Sequence, residues 1–185
     1  LTGDALVHAE GQRGFWVMDV SIDELEDTMK TRTLIEAEAI ARSIELGDAA
    51  WEQRVRDSYA ALSAFEEHLG DGGKDVFAHW EAANRLFHEA LVSACGSPWL
   101  IRMRRMLHQH SERYRLIARS SMTPERDVHD EHEAIMDAAL SRKGLRASRL
   151  IEVHLKRTTA VVREALERRE QEMRAAPARQ SGRKK

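Results

Sequence analysis

The sequence predicts an all-α fold, an antiparallel bundle of about six helices preceded by a short β-hairpin. Three observations carry this expectation. Apolar residues recur at helical spacing from Ser21 onward. Helix-start signals repeat along the chain: a capping box from Ser21 to Glu24, then hydroxyl–proline pairs at Ser97-Pro98 and Thr123-Pro124. The gaps between periodic segments are short, which makes successive helices antiparallel neighbours.

The first 20 residues differ from the rest. Leu6-Val7-His8, a glycine turn through Gly11 and Gly14, and Phe15-Trp16-Val17-Met18 read as strand, turn, strand. The first helix runs from Ser21 to about Leu46, with Gly47 as its C′ residue. Asp48 caps a second helix from about Ala49 to Leu69, which Gly70, Gly72 and Gly73 end. A third spans roughly Asp75 to Ala94, and Ser97-Pro98 opens a fourth that reaches about Arg119. Thr123-Pro124 opens a fifth that ends near Gly144, and a sixth runs from about Leu145 to Met173. Residues 175–185 have no apolar period and read as a disordered basic tail. Three regions follow: a hairpin over 1–20, a helical domain over 21–174 and the tail over 175–185.

Of the 185 residues, 42% are hydrophobic and 32% charged, which suits one globular domain. The formal net charge of −2 argues against the overall basic field that drives nucleic-acid binding. Cys95 is the only cysteine, so no intrachain disulfide is expected and a reducing cytoplasm is the simplest setting. No apolar run approaches a membrane span, and no signal-peptide pattern stands at the N-terminus. No membrane partner is expected.

Asn84 and His88 are four residues apart and share a helix face, while His132 and His154 each sit in a separate apolar-periodic segment. Imidazole is the commonest protein ligand for zinc, nickel and related cations, and three imidazoles plus an amide oxygen make a first shell. Taken singly, each histidine is a hydrogen-bonded core residue. Taken together they lie among Leu86, Phe87, Leu91, Ile135, Ile151 and Leu155, where unpaired imidazoles would each cost about 1–3 kcal/mol. A shared cation removes that cost. His8, His68, His79, His108, His110 and His129 have no spacing that demands a role. Arg32 and Glu36 are also four apart: either an exposed ion pair worth about 0.3–0.5 kcal/mol or a fork for a ligand carboxylate. Ser111-Glu112-Arg113-Tyr114-Arg115 is either a further cavity contact, through Arg113, or a solvated charged face.

The stretches RGFWVMDVSIDEL, RTLIEAEAIA, ANRLFHEAL with ACGSPWL, DEHEAIMDAAL and LIEVHL resemble, in order and spacing, the C-terminal effector-binding (FCD) domain of GntR-family transcription regulators of the FadR subfamily. They extend from Arg13 to Leu155. The resemblance implies a divalent metal, zinc or nickel, on Asn84, His88, His132 and His154, with asparagine where metal-binding members carry a carboxylate. It favours Arg32 and Glu36 at the effector cavity, and it makes residues 1–20 the remnant of a winged helix-turn-helix, with Arg13-Gly14 at the wing tip. The helix that would enter the major groove is not among these residues, so DNA binding is expected only of an intact protein carrying the full N-terminal domain.

The expected function is therefore ligand sensing and dimerisation, not catalysis. A small organic acid would bind at the metal and shift the geometry of a homodimer. Two alternatives stand. One is a metal-dependent hydrolase, for which only Glu81 and Glu89 offer a nearby base. The other is a metal-free bundle that binds a larger apolar effector.

Overall fold

The computed structural model describes residues 7–9, 15–17, 21–66, 74–118 and 128–175. Two short strands, β1 (Val7–Ala9) and β2 (Phe15–Val17), pair antiparallel, with Val7 opposite Val17 and Ala9 opposite Phe15. Six helices follow: α1 (Ile22–Leu46), α2 (Ala49–Glu66), α3 (Lys74–Val92), α4 (Pro98–Ala118), α5 (Val128–Leu140) and α6 (Gly144–Ala175). The all-α bundle expected from the sequence is the fold of the chain. The wing-tip residues Arg13 and Gly14, the glycines at 70, 72 and 73, the Thr123-Pro124 start signal and the tail beyond residue 175 lie outside the described residues.

Local chemistry sets the helix starts. Ser21 Oγ accepts from the Glu24 N–H at 3.3 Å, Asp48 Oδ1 from the Trp51 N–H at 2.8 Å, and Ser97 Oγ from the Leu100 N–H at 3.3 Å. Each satisfies a backbone donor that has no intrahelical partner, worth about 1 kcal/mol. The stops are less simple. Gly47 does not take the left-handed conformation of a C′ glycine; its φ of −66° and ψ of 141° are extended. The residue is required there by space instead. A Cβ on Gly47 would collide with the Trp51 ring and the Ser43 carbonyl. Gly144 likewise begins α6, whereas α5 stops at Leu140. The left-handed residue of that turn is Arg142, with φ 57°.

Helix α1 lies at the centre of the bundle, against α4 on one side and α6 on the other, while α2 packs on α3 and α5 packs on α6 and α2. Its inward stripe Leu25, Met29, Ile40 and Ile44 meets Phe87 and Leu91 of α3, Tyr114 of α4, Ile135 of α5 and Ile151, Leu155 and Val162 of α6 in one apolar core. The same stripe carries Arg32 and Glu36, both 1% exposed. Two charges held that deep require partners, and those partners define the site.

Candidate metal and effector site

Three helices each aim a histidine at one interior point. His88 from α3, His132 from α5 and His154 from α6 have ring centroids 5.1 Å (His88–His154), 5.5 Å (His88–His132) and 4.7 Å (His132–His154) apart. Each offers a ring nitrogen, and the three nitrogens lie within 4.8 Å of one another. Asn84 stands one turn before His88, is buried, and its Oδ1 has no hydrogen-bond partner among the described residues.

The opposite edges of the rings face carboxylates. His132 Nδ1 donates to Glu66 Oε1 at 2.6 Å, and His154 Nδ1 donates to Glu131 Oε2 at 2.9 Å. His88 Nδ1 lies 3.4 Å from Glu36 Oε2. A carboxylate on Nδ1 fixes the tautomer in which Nε2 presents a lone pair, which is how histidine is prepared for a metal. His132 Nε2 and both nitrogens of His88 have no hydrogen-bond partner among the described residues. Burial pushes His88 down to about 3 despite Glu36, so its imidazole is neutral at neutral pH. A buried donor set of three imidazoles and an amide oxygen, with unmatched polar atoms on His88, His132 and Asn84, fits a divalent cation.

A second group adjoins it through Glu36. Arg32 Nε donates to Glu36 Oε1 at 2.6 Å and its Nη1 to Ser111 Oγ at 2.8 Å, while Arg104 Nε lies 3.5 Å from the same Glu36 oxygen. Arg115 forks onto Glu81, with Nε and Nη2 each 2.7 Å from a carboxylate oxygen, and reaches Ser111 Oγ at 3.2 Å. Burial works against the charge on Glu36, but Arg32 and Arg104 outweigh it and hold its carboxyl well below the usual range. Burial pushes Arg32 down to about 10 against the pull of Glu36. Arg32 and Glu36 are therefore a buried pair rather than a surface one, and they stand against the histidine cluster.

Arg113 is buried but on another side of α4, two residues from both Ser111 and Arg115, with its guanidinium 5.6 Å from the Tyr114 ring. Glu81 is bound by Arg115 and Glu89 by Arg105, so each potential base is already engaged by a guanidinium. Sequence reasoning missed Glu66 and Glu131, for which no spacing gives a signal, because their partners lie on other helices. It also missed Arg104 and His108, and within the stretch 111–115 it singled out Arg113 rather than Arg115, although a signal existed. Residues 104, 108, 111 and 115 recur at steps of four, three and four, which is one face of a helix.

A helical bundle with inward histidines on three helices and a buried arginine–glutamate cluster beside them defines a ligand-binding domain. The FCD domain matches residues 27–157, and the chain belongs to that family; its curated relatives are HTH-type transcriptional regulators, which makes it an effector-binding regulatory domain. Among its relatives is BphR of Paraburkholderia xenovorans strain LB400, described as an uncharacterized HTH-type transcriptional regulator. It is 42% identical over 164 residues, which cover 89% of this chain and 67% of BphR. The HTH-type transcriptional repressor GlaR of Escherichia coli strain K12 is 32% identical over 90% of this chain and 76% of its own length. The fold is shared with a GntR-family regulator from Pseudomonas syringae pv. tomato DC3000, with a TM-score of 0.67 at 24% identity, covering 92% of this chain and 68% of that one. Among the described residues no helix is long and apolar enough to cross a membrane.

Proposed function

We propose that this domain senses a small organic acid through a divalent cation, zinc or nickel, held by Asn84, His88, His132 and His154. The observation that carries the reading is a carboxylate beside Nδ1 of each histidine, with Glu66 and Glu131 at hydrogen-bond distance and Glu36 at 3.4 Å. Three such pairs orient three imidazoles without supplying charge to the ion itself. The cation supplies a fixed positive charge to which a carboxylate binds. Because all four ligands are neutral, most of that charge is left for the effector. Arg32 and Glu36, beside the histidines, link the bound acid to α1 and so to the hairpin that precedes it in sequence. Residues 1–20 are read as the remnant of a winged helix-turn-helix, residues 21–174 as the sensing domain and residues 175–185 as a basic tail. In the intact regulator a homodimer of such domains sets the spacing of the DNA-binding heads.

Calorimetry on metal-stripped chain tests the reading. Zinc or nickel should bind wild type and bind His132→Ala at least tenfold more weakly, and citrate should bind only after metal has been added. Light scattering on the same samples should give about twice the chain mass of 21.1 kDa. Equal metal affinity in wild type and His132→Ala, or citrate binding that ignores the metal, would contradict the assignment.

A further inference from the structure

His108 of α4 is 1% exposed, and its ring centroid lies 6.3 Å from that of His88. Its Nδ1 meets Arg104 Nη2 at 3.3 Å. A guanidinium only donates, so Nδ1 of His108 must be the acceptor and the ring proton must sit on Nε2. That Nε2–H has no partner among the described residues. A buried donor left unmatched costs about 1–3 kcal/mol, so its place beside the metal cluster calls for an acceptor supplied from outside the chain. The charge around it says which kind. Arg104 meets His108 and its Nε makes no hydrogen bond among the described residues, while Arg32 is paired with Glu36 and Arg115 with Glu81, so the cluster holds three guanidiniums against two carboxylates. An excess of fixed positive charge in a dry interior favours an anionic acceptor over a hydroxyl or carbonyl.

We infer that the effector is a short dicarboxylate, with one carboxylate on the cation and the second received by His108 Nε2 and Arg104. The inference rests on the metal-dependent reading above and adds a specificity-determining residue to it. His108 stands outside the proposed metal shell, with its ring centroid 6.3 Å from that of His88.

The test uses metal-loaded chain and matched straight-chain acids: malonate, succinate and glutarate against propionate, butyrate and valerate. Within at least one pair of equal carbon number the dicarboxylate should bind at least tenfold tighter. His108→Leu should abolish that preference while leaving metal stoichiometry unchanged, and His108→Gln, which restores an N–H donor, should recover part of it. A wild type with no preference in any pair overturns the inference, as does a preference that survives His108→Leu. The wild-type comparison decides alone if the leucine variant does not fold. Failure of metal binding in wild type would instead remove the metal-dependent reading, and it is measured separately and first.

Discussion

At the residue scale, the most informative position is Asn84. Its buried Oδ1 has no hydrogen-bond partner among the described residues, and the residue stands one helical turn from His88. An amide brings an oxygen without a charge, so a cation held there would keep its full charge for an effector. Asn84→Asp adds a negative charge at the ion, worth several kcal/mol in a partly desolvated site before the cost of burying the carboxylate is subtracted. We expect metal to bind about tenfold tighter or more in this variant, with citrate affinity per bound metal level or weaker. Calorimetry of metal and then citrate checks both halves, and unchanged metal affinity would mean that Asn84 does not face the ion. The four candidate ligands were legible in the sequence because a helix face is a local property. Glu66 and Glu131 were not, because what selects them is the approach of α2 to α5 and of α5 to α6.

At the scale of elements, helix starts were legible and helix ends less so. A cap needs one side chain at a fixed offset, and Ser21, Asp48 and Ser97 all accept the expected N–H. A helix end can be set by tertiary packing that no local pattern encodes. Gly47 illustrates this, since what it makes room for is the fully buried Trp51, whose Nε1 donates to the Ala90 carbonyl at 3.0 Å. The turn after α5 then buttresses the same corner. Arg142 lies over the Trp51 ring at 5.1 Å and donates to the carbonyls of Ile44 at 2.7 Å and Gly47 at 2.8 Å. Gly47→Ala should therefore destabilise the chain by overpacking, by about 1–3 kcal/mol, although the backbone angles suit alanine. Urea unfolding measures it, and a neutral or stabilised variant would show that Trp51 moves aside freely. Arg32 and Glu36 show the other limit of local reading. Their spacing fits a surface ion pair and a buried one equally, and only the packing of α4 against α1 decides for the buried pair.

At the scale of the whole molecule, the price of the site is a core full of ionisable groups. Metal-free chain should lose stability in acid, and the sign follows from the histidines. His88 is held by burial at about 3, against an ordinary value of 6.5, so between these values the unfolded chain binds a proton that the folded chain does not. Stability contributed by the neutral ring is complete above about 6.5 and is lost as pH falls toward 3. Burial, with the nearby Arg32, Arg104 and Arg115, drives His108 in the same direction. Glu36, held below its ordinary 4.5, adds a further loss in stronger acid. Urea titrations at several pH values below 6.5 should show a fall of about 1 kcal/mol or more per pH unit, and a flat profile would contradict buried neutral imidazoles. The central claim is that His88, His132 and His154 converge on a cation. The most direct measurement is anomalous scattering from crystals of metal-supplemented chain, recorded on both sides of the zinc or nickel absorption edge. The account predicts one strong peak bonded to His88, His132, His154 and Asn84. A map without a peak there, with the three rings bonded to one another or to water, would contradict it.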